Sequence, residues 1–314
     1  VGRRTGADLT MVDGWIILDK PLELGSTQGV AAVKRNLRQA GYGKVKVGHG
    51  GTLDPLATGV LPIAVGEATK LAGRMLDASK EYAFTVRFGE ETDTLDLEGK
   101  VVAVSDVRPS LDALQAALGA FQDTIEQVPP AYSALMIDGQ RAYDRARAGE
   151  DVEMPTRTVT IYALVLEGTE GPGEALESAT LRAHVSKGTY IRSLARDIAR
   201  ALGSVGHVTM LRRLRAGPFG LENAISLDNL NDVGKGAPLE HVILPLEAGL
   251  VDIPALDLDP EQARAVRQGR VLTGLPCNDG LFWARNGTVP VALVELSGGS
   301  LTVVRGFNLP DVAE

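Results

Sequence analysis

Val47-Gly48-His49-Gly50-Gly51-Thr52-Leu53-Asp54-Pro55-Leu56-Ala57-Thr58-Gly59-Val60-Leu61 is the densest signal in the chain. Val45 to His49 reads as a strand that feeds a turn rich in glycine and then an Asp-Pro step. Glycines permit φ > 0 and let another backbone, or a ligand, come close. Pro55 keeps Asp54 out of the α region, so an extended backbone sets the direction of the carboxylate. On the residues alone two readings stand together: an Asp-Pro turn closed by a capping carboxylate, and a loop that presents a reactive one. A phosphate-binding loop fits poorly, because neither the Gly-Lys-Ser/Thr ending nor the dinucleotide spacing is present.

The flanking segments alternate between strand and helix. Gly14 to Leu18 reads as a short buried strand closed by Asp19-Lys20-Pro21. Ser26 or Thr27 can cap a helix to about Ala40, with Val30, Val33 and Leu37 as its apolar stripe. Glu67 to Asp77 and Leu111 to Phe121 read as helices. Tyr82, Phe84, Val86 and Phe88 alternate as in a half-buried strand, and Thr158 to Glu167 and Ala179 to Ser186 read as strands. After Lys187-Gly188, with Thr189 as cap, Ile191, Leu194, Ala195, Ile198 and Leu202 form the core face of a helix. Arg192, Arg196 and Arg200 share its second face. With Asp197 as the only acid nearby, that face suits either solvent or phosphate. Pro254 and Pro260 punctuate a boundary near residues 252–259. Beyond it come a short helix from Glu261 to Arg267, a turn at Gly269, and Val- and Leu-rich strands parted by glycine turns. Asn286-Gly287-Thr288 reads as one of those turns.

Composition bounds the function classes. The chain has 314 residues and a formal net charge of −8, with 44% hydrophobic residues. No apolar run approaches the ~18–20 residues of a membrane helix, and Val1 to Thr10 is polar rather than signal-like; the expected location is the cytoplasm. Cys277 is the only cysteine and the four histidines are scattered, so neither a disulfide framework nor a metal cluster is expected. The charge is unevenly spread. Gly25 to Leu53 holds five bases and no acid, and Arg182 to Arg215 holds eight bases and one acid. A local patch can bind phosphates whatever the net charge, so this asymmetry points to a polyanionic ligand.

The run Gly48 to Gly59 resembles the catalytic motif of the TruB family, the synthases that make pseudouridine in the T loop of tRNA. Six further blocks match that family in the same order: Gly14-Trp15-Ile16-Ile17-Leu18-Asp19-Lys20-Pro21, Gly66-Glu67-Ala68-Thr69-Lys70, Lys80-Glu81-Tyr82, Gln127-Val128-Pro129-Pro130-Ala131-Tyr132-Ser133-Ala134, Lys187-Gly188-Thr189-Tyr190-Ile191-Arg192 and Leu211-Arg212-Arg213-Leu214-Arg215. The resemblance spans roughly Gly14 to Phe219 and continues more weakly beyond. Two positions depart from it: Gly50 stands where the family commonly has Thr, and Thr52 where it often has Ala or Ser.

The resemblance implies an α+β fold, with a mixed, mostly antiparallel sheet flanked by helices. A catalytic domain over residues 1–250 would be followed by a small β-rich PUA-like domain over 251–314. It implies isomerisation of uridine 55 in tRNA, by flipping the base out and by Asp-dependent cleavage of the glycosidic bond, re-formed at C5. Asp54 would be the essential carboxylate, Arg192 its counter-ion, and Tyr82 the active-site tyrosine. His49, Tyr190 and Leu211 would line the uridine site. Lys70, Lys187, Arg196, Arg212 and Arg213 are candidates for the RNA backbone. No cofactor and no metal are needed. The expected partner is the T arm of tRNA, engaged by a monomer without a guide RNA or a membrane. Two readings compete: a non-catalytic RNA-binding protein or tRNA-folding chaperone, whose activity could also coexist with catalysis, and a guide-RNA-dependent synthase. An acidic chain without an extended basic tail speaks against the latter.

Overall fold

The computed structural model describes residues 12–236 and 239–310. The polar stretch Val1 to Thr10 lies outside them. A ten-stranded sheet forms the larger part of the chain. Its main path runs Ile225–Ser226, Gly14–Lys20, Ala57–Val65, Gly206–Ala216, Lys80–Phe88, Ser178–Val185, Arg157–Glu170 and Asp123–Gln127. Two short strands, Val47–His49 and Phe219–Gly220, pair off this path. Ala57–Val65 runs parallel to Gly206–Ala216, and Gly14–Lys20 parallel to Ile225–Ser226; the other pairings are antiparallel. The sheet is therefore mixed and mostly antiparallel, with helices packed on it, as expected.

Strand alternation sorts the side chains. Phe84, Val86 and Phe88 point to one face and are fully buried, under the helices Leu111–Leu118 and Ile191–Ala201. Ile16 and Leu18 point to a neighbouring core under the helix Ser26–Gln39. Tyr82 and Leu211 pack against both clusters, so they mark the seam between them. Trp15 and Ile17 point to the opposite face, where Trp15 stacks on Phe219 and donates its indole N–H to the Leu246 carbonyl at 3.1 Å.

A five-stranded sheet follows from Ala255 on, in the order Ala255–Asp257, Gly280–Asn286, Val289–Ser297, Ser300–Gly306, Leu272–Thr273. The helix Pro260–Arg267 packs on it, capped by Asp259, whose carboxylate accepts from Gln262 N at 2.8 Å. This curled β-sheet matches the PUA-like module that the sequence resemblance implies. Gly287 and the Gly298-Gly299 pair supply the left-handed turns of its hairpins. Leu293 and Phe307 join the Trp15 cluster, and Lys70 donates to the Gly306 carbonyl at 2.9 Å. The small sheet is thus docked on the larger part of the chain.

Local details differ from the sequence reading at the caps. Neither Ser26 nor Thr27 caps the first helix. Gly25 takes the cap position, where Gln28 Oε1 accepts its N–H at 2.7 Å. Thr189 does not cap the second either: its hydroxyl donates back to Ser186 O, and the cap residue is Tyr190, whose N–H is accepted by Gln127. In both places a hydroxyl found a better partner outside its helix. The segment after Gly66 is a 3₁₀ turn over Gly66–Leu71 followed by a helix over Ala72–Asp77, and a like 3₁₀ turn over Gly119–Phe121 ends the Leu111 helix. Among the described residues no helix is long and apolar enough to cross a membrane.

Candidate active site

Asp54 sits in the loop between the strands Val47–His49 and Ala57–Val65, at the end where the latter meets Leu211 in parallel register. The loop makes few hydrogen bonds to itself and is held from outside. Ser26 Oγ accepts from Leu53 N and donates to Leu53 O, each at 2.8 Å. Lys20, fully buried at the end of its strand, donates to the carbonyls of Pro21, Leu24 and Pro55 at 3.0, 2.5 and 3.2 Å. Arg213, 1% exposed, donates to Val60 O at 2.7 Å, Gly51 O at 3.0 Å and Thr52 O at 3.2 Å. Side chains from three other elements, one of them about 160 residues further along the chain, therefore fix the backbone on either side of Asp54.

Two glycines explain the loop's path. A Cβ on Gly59 would lie 2.2 Å from the Arg213 carbonyl, and Gly59 has φ +99°, so only glycine fits there. A Cβ on Gly50 would lie 2.6 Å from Met75 Cβ. Met75 is buried, 2% exposed. Packing against this methionine accounts for glycine at the position where the sequence departs from the family pattern. Thr52, the other departure, is exposed, and only its backbone carbonyl is used, by Arg213.

The Asp54 carboxylate meets Arg192, with Nε 2.9 Å from Oδ2. Arg192 enters from the first turn of the helix Ile191–Ala201 and is almost completely enclosed. Its Nη1 donates to Thr94 O at 2.8 Å and its Nη2 to Tyr132 O at 3.0 Å, and Asp96 Oδ2 lies 3.8 Å from Nη1. One buried guanidinium thus joins the carboxylate to two loops from other parts of the chain. A buried guanidinium held in this way fixes the direction of its carboxylate partner.

Two clefts converge on Asp54 and Arg192. One, about 770 Å³, is lined by His49, Asp96 and Tyr132, with Arg141, Tyr143 and Arg147 on its far side. The other, about 520 Å³, is lined by Tyr82, Tyr190, Leu211, Lys80 and Arg213. Every residue expected at the catalytic centre or the uridine site (Asp54, Tyr82, Arg192, His49, Tyr190 and Leu211) borders one of the two. His49 is half-buried and its Nδ1 accepts from Gly51 N at 3.4 Å. Burial, with Arg213 adding to it, pushes its pKa down, so the ring is neutral and available as an acceptor. It props the turn and faces the cleft at once. Lys20 and Lys80 are each pushed down to about 8, chiefly by burial. Arg157 stacks over the Tyr190 ring at 5.7 Å.

The basic groups expected at the RNA backbone are placed unevenly. Lys187 is exposed and pairs with Asp77 at 2.9 Å; Lys70 pairs with Glu67 at 2.6 Å. Arg212 makes a two-pronged pair with Asp19. Arg213 is an interior residue whose guanidinium is committed to backbone carbonyls, which corrects its expected place on the RNA surface. The arginine stripe of the helix is likewise not a free phosphate face. Arg192 holds Asp54, Arg196 bonds Asp197 and Val128 O, and Arg200 makes a two-pronged pair with Glu91. The face packs on loops that carry acids and carbonyls, which a helical repeat alone does not reveal. Lys20, Ser26 and Asp96 were not foreseen at the site. Lys20 had one sequence signal, a lysine two residues past the apolar run Trp15 to Leu18; Ser26 and Asp96 had none.

Comparison with known proteins agrees with this geometry. Residues 35–191 match the sequence model of the TruB family pseudouridylate synthase N-terminal domain, and residues 192–251 that of the tRNA pseudouridylate synthase B C-terminal domain. The chain is 81% identical over 304 residues to a tRNA pseudouridine synthase B of Novosphingobium aromaticivorans, a match that covers 97% of this chain and 100% of the relative. It is 55% identical to one of Zymomonas mobilis, over 94% of this chain and 96% of that one. Its fold is similar to a chain in a solved H/ACA ribonucleoprotein bound to a substrate RNA containing 2′-deoxyuridine, with a TM-score of 0.69 and 25% identity over 95% of this chain and 86% of the other. Matched along most of its length, and carrying the family motif on a loop that faces an enclosed arginine, the chain belongs to the TruB family of pseudouridylate synthases.

Proposed function

We propose that this chain isomerises uridine 55 to pseudouridine in the T loop of tRNA, with Asp54 as the essential carboxylate. The observation that carries the reading is the Asp54–Arg192 pair at 2.9 Å, at the meeting point of two clefts large enough for a nucleotide and its neighbours. The target base leaves its stack and enters beside Tyr82, Tyr190 and Leu211; unstacking costs a few kcal/mol, offset by contact with these side chains. Arg192 holds and aims the Asp54 carboxylate. The carboxylate then acts on the glycosidic bond, as nucleophile or as stabiliser of the cleavage transition state. The freed uracil turns in the pocket and rejoins the ribose through C5, while Tyr82 stacks on it and serves proton transfer at the sugar. Substrate and product are isomers, so the balance needs no oxidant, metal or nucleotide.

The partner in this reading is the T arm, bound by a monomer without a guide RNA, in the cytoplasm where tRNA is processed. Residues 1–250 act as the catalytic domain and 251–314 as an accessory RNA-reading domain; the start of the second sheet at Ala255 supports that division. Lys70, Lys187, Arg196 and Arg212 are each paired with a carboxylate of the chain, so their role at the RNA needs exchange of those partners.

The test is to incubate the protein with an unmodified tRNA transcript and to map pseudouridine. Wild type gives product at position 55. Asp54→Asn gives none while still binding tRNA, and any folding of tRNA that depends on binding alone survives in that variant. Product from Asp54→Asn at the wild-type rate would remove Asp54 from the chemistry.

A further inference from the structure

The two basic segments have different fates in the fold. In Arg182 to Arg215 every base has a partner inside the chain: Arg182 with Glu167, Lys187 with Asp77, Arg192 with Asp54, Arg196 with Asp197, Arg200 with Glu91, Arg212 with Asp19, Arg213 with three carbonyls and Arg215 with Glu222. In Gly25 to Leu53 the bases stay open. Arg35 bonds only the neutral Asn231 amide, and Lys34, Arg38, Lys44 and Lys46 have no side-chain hydrogen bond or ion pair among the described residues. Of the acids on neighbouring elements, Glu240 is engaged by the Tyr42 hydroxyl and Asp232 by Lys235. No base of this segment is therefore neutralised by an acid among the described residues.

Three of these bases converge. Lys34, Arg38 and Lys44 surround a concavity of about 100 Å³, floored by Leu37 and Val45 and edged by Gly43, with no acid in its lining. Lys34 and Arg38 are one helical turn apart, so they lie on one face of the helix Ser26–Gln39. Its first residue, Ser26, holds Leu53 next to Asp54. At about 1.5 Å per residue, Lys34 and Arg38 stand roughly 12 and 18 Å along the helix from that contact. Lys44 leads into the strand Val47–His49, which runs back to the catalytic turn. The pocket and Asp54 are two ends of one rigid unit, separated by a few nucleotides' length of RNA strand.

We infer that Lys34, Arg38 and Lys44 form a phosphate-binding subsite for the backbone of the RNA whose uridine enters the Asp54 cleft. The ligand is a backbone phosphate of structured RNA. A mobile anion suits a triad of long cations around a shallow cup, and such contacts set register rather than read sequence. This inference rests on the proposed function, and it gives the pairing of the other basic segment a sense: affinity comes from the charges that the fold leaves open.

The triple variant Lys34→Gln, Arg38→Gln, Lys44→Gln tests it. All three side chains reach the surface, so its melting point is expected to match wild type. With an unmodified tRNA transcript, KM is expected to rise at least tenfold with the change concentrated in KM rather than kcat. The slope of log affinity against log salt is expected to flatten by about one, since one lost phosphate contact removes roughly 0.7–0.9. Unchanged KM and unchanged salt slope overturn the subsite, as does a fall in kcat alone. Wild type that binds tRNA but forms no pseudouridine sinks the functional reading instead, and the salt slope of binding still reports on the pocket.

Discussion

Ser26→Ala removes one oxygen atom and tests how the catalytic loop is held. The hydroxyl is the side-chain partner of both Leu53 N and Leu53 O, and both residues are buried, 5% and 4% exposed. An unsatisfied buried polar group costs about 1–3 kcal/mol. Two such groups set an upper range of roughly 2–6 kcal/mol, less whatever a water entering the vacated space restores. Unfolding entropy scales at about 2.1 cal/mol/K per residue, so a chain of this length loses roughly 1.5 °C of melting temperature per kcal/mol, or about 3–9 °C in all. The kinetic effect adds to this. Leu53 adjoins Asp54, and a misplacement near 1 Å costs on the order of 100-fold in rate. Single-turnover pseudouridine formation at saturating tRNA should therefore fall about 10- to 100-fold, with tRNA affinity near wild type. Ser26→Thr keeps the hydroxyl and should recover most of both losses. Wild-type rate and wild-type melting in Ser26→Ala would refute the reasoning, because the loop would then be fixed by something other than this bond.

Arg192→Lys keeps the charge but can replace only part of the contacts to Asp54, Thr94 O and Tyr132 O; a rate loss above 100-fold with a drop in stability of about 2–4 kcal/mol is expected, read by single-turnover kinetics and denaturant titration. Gly50→Thr drives a Cβ into Met75 and should destabilise the chain by about 1–3 kcal/mol, with partial recovery in the pair Gly50→Thr, Met75→Ala; additive losses in the two single variants would refute the packing account. Lys20 and Lys80 have folded pKa values of about 8, below the ordinary 10.5. Between pH 8 and 10 the unfolded chain binds more protons than the folded one, so stability should rise with pH, by up to about 1.4 kcal/mol per unit for each lysine. Lys20→Met should flatten that rise in denaturant midpoints measured at pH 8 and 10.

The parts of the fold that were legible in the sequence are those set by local patterning. The run from Trp15 to Leu18 and the alternation of Phe84, Val86 and Phe88 give their strands directly, because burial on a sheet face leaves a short-range mark. The core face of the Arg192 helix is read with the same ease. The resemblance supplied Asp54 and its neighbours as a set. The framework around them was not legible. Ser26 and Leu53 are 27 residues apart, and Arg213 and Gly51 are 162 apart; a hydroxyl or a guanidinium carries no pattern that names its partner at that distance. The same lack misplaced the arginines. A repeat of four fixes which side chains share a face, but only tertiary packing decides that the face meets Glu91 and the Val128 carbonyl rather than water or phosphate.

The dispersed anchoring of the Asp54 loop limits how the motif can be transplanted. A segment from Gly48 to Gly59 moved into another scaffold would carry its sequence but leave behind Lys20, Ser26, Met75 and Arg213, which lie on four other stretches of chain. The motif therefore does not behave as a portable cassette. Substitutions in this loop and at those four positions should be tolerated only as matched sets, and a chimera between relatives is expected to work when its crossover points leave all five pieces with one parent.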